Sequence, residues 1–272
     1  MYKIDRKVLI ASLVIITVLS ITILLNTRLN TESTSPSETP TYREPHVLIY
    51  DSLAREYPNK TLTDLLIKIF IRHGYKVDLY IGENATLDPL FNLDNYDIII
   101  FRAHGAHNSN PMVPKPLGSY IYTGIYIDEA IKIYGKDYIN ELKSSNMIVL
   151  GVIPPPGVEL TNELIDRLPK YVVVSPLFFN KYVGELHRSI IVFTGCYGFD
   201  DDILAKIFIR KGARAYISFK GNVTWSHGDN VLEALMRKYL ETHDIMEAYH
   251  SLDTSLAIDP ITGAELKILL NE

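Results

Sequence analysis

HVLIYDSLAREYPNKTLTDLLIKIFIRHGYKVDLYI (46–81) is the stretch that decides the fold. Its first part, HVLIYDSL (46–53), is a continuous apolar, β-branched run, the pattern of a strand buried on both faces. Then Leu62, Leu65, Leu66, Ile69 and Phe70 recur at three- and four-residue spacing, which predicts a helix with Thr61 or Thr63 as its cap and Gly74 at its C-terminal end. KVDLYI (76–81) returns to strand character. After a short connection containing Asp88, Pro89, Asn92 and Asp94, DIIIFRAHG (97–105) predicts a third strand running straight into a His-Gly turn. The order β-α-β-(α)-β predicts an α/β fold on a doubly wound, mostly parallel sheet, with right-handed crossovers and helices on both faces.

The pattern continues towards the C-terminus. Residues 127–145 read as a helix flawed by Gly135, and NMIVLGVI (146–153) reads as a strand closed by prolines. Residues 159–168 predict a short helix, and YVVVSPLFF (171–179) a strand in which Pro176 marks an edge or a break. RSIIVFTGC (188–196) is a buried strand ending at the one cysteine, Cys196. Residues 200–213 form an amphipathic helical pattern with acidic residues in the first turn. RAYISFKG (214–221) predicts another strand, and 228–244 and 245–256 predict helices. No internal repeat is present.

The beginning of the chain is different. VLIASLVIITVLSITILL (8–25) carries no charge and, at about 1.5 Å per residue, reaches roughly 27 Å as a helix, enough to cross a bilayer's hydrocarbon core. It exceeds the usual apolar core of a cleaved leader, and no small-residue cleavage pattern follows it. Lys3, Arg6 and Lys7 predict that residues 1–7 stay cytoplasmic. The expectation is a signal-anchor at 8–25, a Ser/Thr/Pro/Glu-rich flexible linker at 26–45, and an extracytoplasmic domain at 46–272. The whole chain holds 27 basic and 32 acidic side chains; without Lys3, Arg6, Lys7 and Asp5 the remainder keeps 24 and 31, a net −7. That sign disfavours nucleic acid as a partner. A lone cysteine makes no internal disulfide, so stability must come from the core.

Two strand ends carry the chemistry. One is Ala103-His104-Gly105, the other Thr194-Gly195-Cys196-Tyr197-Gly198. In an open parallel sheet, ligands and reacting groups gather beyond the carboxyl ends of the strands. Neighbouring strands lie about 5 Å apart, so adjacency of these two would bring an imidazole to a thiol on one rim. The helix predicted at 200–213 would present its N-terminus to the same rim and favour the thiolate, whereas Asp200, Asp201 and Asp202 would oppose it. The backbone N–H groups of Gly105 and Cys196 are candidates for an oxyanion hole. Against this stands the plain alternative that a buried cysteine is a small hydrophobe and a strand-end histidine a structural hydrogen-bonder.

FRAHGA (101–106) and IIVFTGC (190–196) resemble the His-Gly and small-residue-Cys motifs of the caspase–gingipain–separase superfamily of cysteine peptidases, CHAT-type domains included. The continuation through helix, Gly-Ala, strand, Trp225 and helix is similar to that superfamily too, and the likeness spans roughly residues 46–256. The motifs are short and degenerate, so the resemblance is one of fold. The 92 positions from His104 to Cys196 contain a stretch without clear counterpart. The resemblance implies His104 as general base and acid, Cys196 as nucleophile, a peptide or protein substrate, and no metal or other cofactor. It also implies that 220–229 helps set specificity. There Trp225 is a candidate pocket wall, and Asp229 either pairs with a cationic substrate side chain or caps a helix starting at Asn230. Lys220 points to an acidic substrate instead, and the sequence leaves the sign open.

Weaker signals remain. His104 and His107 have too few companions for a metal site. Asn59, Asn84 and Asn222 each head a glycosylation sequon. Tyr120, Tyr122 and Tyr126 read as groove lining or as packing. YDSLAREYP after the first strand lacks glycine, which disfavours nucleotide binding. Three functions follow: a membrane-anchored peptidase acting through a thioester on Cys196, an inactive binding or scaffold module on the same fold, or a flavodoxin-like binder of a ligand at the same strand ends.

Overall fold

The apolar run after His46 has no polar face, so it needs cover on both sides. In the computed structural model it lies at the centre of a six-stranded sheet. The structure describes residues 43–107, 118–155, 157–159 and 161–271. The expected cytoplasmic tail, membrane span and nearly all of the linker lie outside the described residues. Among the described residues no helix is long and apolar enough to cross a membrane.

Strands β1 (His46–Asp51) and β2 (Lys76–Ile81) pair in parallel across helix α1 (Lys60–Arg72), and β1 also pairs in parallel with β3 (Ile98–Arg102). Asn59, not a threonine, caps α1: its side chain accepts the Leu62 N–H at 3.1 Å. Strand β3 ends at Arg102, earlier than its apolar run suggests. After Ala103 and His104 the chain enters β4 (Gly105–His107), which belongs to a second sheet. That sheet is antiparallel and includes β5 (Ser119–Tyr126), β6 (Ile148–Gly151) and β7 (Tyr171–Val174), in the order β4-β5-β7-β6.

Between β5 and β6 lie α2 (Ile127–Tyr134) and α3 (Lys136–Ser144), two helices where the sequence reads one. Gly135, at φ 86°, breaks the helix between them. After α4 (Asn162–Arg167), the strand read over 171–179 breaks at Pro176: β7 stops at Val174 and a helix the sequence did not predict, α5, runs Pro176–Tyr182. The Ser175 side chain accepts the Leu177 N–H and Pro176 occupies the first helical position, where its fixed φ suits the helix and its missing N–H costs nothing.

Strand β8 (Ile190–Phe193) then pairs in parallel with β3, and after α6 (Ile203–Arg210), β9 (Ala215–Lys220) pairs in parallel with β8. Helices α7 (Trp225–Thr242), α8 (Ile245–His250) and α9 (Thr254–Ala257) precede β10 (Glu265–Leu270), an antiparallel edge strand absent from the sequence reading. The main sheet runs β10-β9-β8-β3-β1-β2, so strand order reverses at β1 and β3.

Side-chain alternation along these strands divides two cores. Val47, Ile49, Ile98, Ile100, Val192 and Ile217 meet α1, α7 and α8 on one face. Leu48, Tyr50, Ile99, Phe101, Phe193 and Tyr216 meet α5 and α6 on the other, together with Ile121, Ile125, Val172 and Val174 of the second sheet. Each fully buried Leu, Ile or Phe here contributes about 1.5–3 kcal/mol relative to exposure. Helices therefore cover both faces, and the second sheet closes over the carboxyl ends of β1, β3 and β8.

Candidate active site

The last paired residues of β3 and β8 are Phe101 and Phe193. The Thr194 N–H continues the ladder to the Phe101 carbonyl at 2.9 Å. In parallel register His104 and Cys196 each lie three residues beyond that pair, so the two strands deliver them at the same height. The backbones touch. A Cβ placed on Gly195 would stand 2.4 Å from the Ala103 carbonyl oxygen, and one on Gly105 would stand 2.0 Å from the Cys196 carbonyl oxygen. Glycine is required at both positions by this close approach. His104 and Cys196 line one cavity of about 250 Å³, together with Leu53, Tyr57, Val223 and Trp225.

Burial dominates the electrostatics of the pair. It pulls the His104 imidazole down to about 4, with the nearby Arg102 guanidinium acting in the same direction. It pushes the Cys196 thiol up, a shift to which the charges of Asp200 and Asp259 add. At neutral pH the site therefore holds a neutral imidazole and a neutral thiol, not an ion pair. The thiol donates to Asn222 Oδ1 at 2.8 Å.

The expectation that a helix dipole favours the thiolate is corrected here. Helix α6 starts at Ile203, three residues later than its sequence pattern predicts, and a helix terminus acts only within about its first turn. The three aspartates take separate roles. Asp200 accepts the Gly221 N–H at 2.7 Å, Asp201 accepts the Ile203 N–H at 3.0 Å, and Asp202 pairs with Lys206 at 2.6 Å. Tyr197, next to the nucleophile candidate, has a left-handed φ of 60°, a conformation costing an ordinary residue about 1–2 kcal/mol. Its N–H bonds to the Gly221 carbonyl at 2.7 Å and its own carbonyl accepts the Ser119 hydroxyl, so both sheets hold that turn in place.

For the oxyanion-hole candidates, the hydrogen bond from Tyr122 N–H to the His104 carbonyl makes Gly105 and Ile121 a non-hydrogen-bonded pair. The Gly105 N–H consequently points away from β5. Trp225 lines the cavity: it stacks on Tyr57 with centroids 4.0 Å apart and remains 46% exposed.

Asp229 sits elsewhere. Helix α7 already begins at Trp225, so Asp229 lies inside it and caps nothing at Asn230. Its carboxylate accepts from Arg102 Nε at 2.6 Å and Nη2 at 2.9 Å, and from Asn59 at 2.9 Å. Arg102 also bonds to Asp51 at 2.8 Å, and its side chain is only 3% exposed. Asp229 faces a second cavity of about 480 Å³ that shares Tyr57 and Trp225 with the first. A substrate cation there would compete with Arg102. His107 pairs with Asp201 at 2.9 Å, and among the described residues no group of three metal-ligating side chains occurs.

Glu56 is the residue that sequence reasoning missed. Its Oε2 lies 3.7 Å from His104 Nε2, and both carboxyl oxygens and that ring nitrogen are buried without a hydrogen-bond partner among the described residues. Burial raises the Glu56 carboxyl to about 7 against the opposing pull of Arg55. A glutamate five residues past a strand carries no motif; only the fold turns it towards His104. The rings of Tyr57 and Tyr122 flank that imidazole edge-on, at 6.1 and 5.9 Å.

No family model matches the chain, and no curated protein matches it.

Proposed function

We propose that the chain is a cysteine peptidase of the caspase-like type, tethered to a membrane by residues 8–25, which hydrolyses or transfers peptide bonds outside the cytoplasm. The observation that carries this reading is the cavity at the carboxyl ends of β3 and β8, which both His104 and Cys196 line. The uncharged run at 8–25 supports the tether. The resemblance of FRAHGA and IIVFTGC to the superfamily's motifs supports the type.

The chemistry follows from the neutral pair. As the Cys196 sulfur attacks a substrate carbonyl, its proton passes to His104; with Nε2 turned to Glu56, Nδ1 is the nitrogen available to receive it. The C–N bond breaks as the imidazolium returns that proton to the leaving amine. The resulting thioester is cleaved by water, or by another amine in a transfer, with His104 again accepting a proton. The backbone N–H groups of Gly105 and Cys196 are the donors for the developing oxyanion. Glu56 acts as a positioning residue: shortening its 3.7 Å approach to hydrogen-bond length would steady the imidazolium.

The test is peptide hydrolysis by the full chain. Cys196→Ala should abolish turnover, and His104→Ala should lower kcat/KM by at least about 100-fold, the typical minimum for a general acid–base. Turnover unchanged by either substitution would sink the proposal.

The second reading, an inactive scaffold module, is favoured by one observation: the thiol is raised in pKa and already bonded to Asn222. It expects no turnover from the unaltered chain and unchanged stability in Cys196→Ser.

A further inference from the structure

The sequence left the charge preference of the substrate open, with Asp229 and Lys220 pulling in opposite directions. We propose that the cavity beside Cys196 selects a neutral, apolar substrate side chain, such as leucine or phenylalanine. This rests on the peptidase reading for its consequence but on the cavity alone for its chemistry.

Three observations carry it. First, the walls are Leu53, Tyr57, Ile153, Pro154, Val223 and Trp225, and among the described lining residues there is no Asp, Glu, Lys or Arg. The polar groups that remain are neutral threonines, Asn222 and the His104–Cys196 pair, itself uncharged at neutral pH. A charged side chain entering would lose its water with no charged side chain among the described lining residues to meet it, whereas an apolar one gains burial. Second, both residues that suggested a charged substrate are accounted for away from this cavity. Asp229 is held by Arg102 and Asn59 and faces the neighbouring cavity, and Lys220 ends β9 as an exposed side chain. Third, the volume of about 250 Å³ falls just under the roughly 300–1,000 Å³ of small-molecule sites, a size for one or two side chains. The half-exposed Trp225, stacked flat on Tyr57, offers an apolar face at the mouth.

Trp225 is also the one tryptophan of the chain, so its fluorescence reports occupancy. Capped peptides differing only at one residue are titrated into the full-length Cys196→Ser variant. Leucine and phenylalanine peptides should bind at least about tenfold more tightly than aspartate, glutamate, lysine or arginine peptides. Ile153→Asp, a substitution at a partly exposed wall, should reverse the order in favour of lysine and arginine. Equal or tighter binding of a charged peptide, or no binding by any peptide, would overturn the proposal. Apolar-selective binding to this variant combined with no cleavage by the unaltered chain would uphold the cavity's preference while removing the peptidase reading.

Discussion

At the scale of single residues, the site is defined by groups kept neutral. Glu56 shows the cost. The folded carboxyl keeps its proton up to about pH 7, whereas an unfolded glutamate releases it near 4.5. Folded chains therefore bind more protons across that window, and the stability this gives is present below about 4.5 and lost as pH rises through about 7. His104 works in the opposite sense: an unfolded imidazole takes up a proton below about 6.5 but the folded one only near 4, so its stability is present above 6.5 and lost as pH falls through 4. Glu56→Gln removes the first dependence. Urea denaturation at pH 8 should find the variant more stable than the unaltered chain, by up to about 3 kcal/mol, with the difference gone at pH 4. Its peptide turnover at pH 8 should fall at the same time, because the imidazolium loses the carboxylate that Glu56 presents above about pH 7. A stability gain paired with an activity loss separates a positioning role from simple packing. The raised thiol makes a second demand: iodoacetamide should alkylate Cys196 more slowly than free cysteine at pH 7.

At the scale of elements, the strand ends and the buried ion network decide the geometry. Gly195→Ala would drive a Cβ to within 2.4 Å of the Ala103 carbonyl, so β3 and β8 must separate at their tips. The expected loss is about 1–3 kcal/mol in thermal or urea denaturation, with turnover falling further than stability alone explains. Asp229→Ala would strand Arg102 beside Asp51 in a buried setting, and breaking such a pair costs about 3–5 kcal/mol. The strands and helices around 46–105 were legible in sequence because their apolar periods are unbroken, and so were both strand-end motifs. Other elements were hidden for physical reasons. SYIYTGIY (119–126) carries a glycine in its interior, and ELKILL (265–270) is a short edge strand whose partner is fixed only by the folded sheet. Glu56, and the engagement of Asp229 by Arg102, depend on contacts across 48 and 127 positions that no local pattern encodes. The thiolate expectation failed because six residues separate Cys196 from Ile203, the first residue of the next helix.

At the scale of the whole molecule, residues 44–272 form one compact unit with a core on each side of the main sheet. The fragment 44–272 should therefore fold without the preceding residues and unfold in a single cooperative transition, which calorimetry of the isolated fragment checks. The mixed sheet, parallel from β2 to β9 with β10 turned antiparallel at its edge, fixes one rim at which β1, β3 and β8 all end. The site occurs at that rim, beside the reversal of strand order, where open α/β sheets hold their ligands.

The most direct test of the imidazole–thiol partnership is the rate at which a peptidyl chloromethyl ketone alkylates Cys196, followed by intact-protein mass spectrometry in the unaltered chain and in His104→Ala. A single adduct on Cys196 is expected, with the rate reduced at least about 100-fold by the substitution while circular dichroism shows the fold unchanged. Equal rates in the two proteins would contradict it.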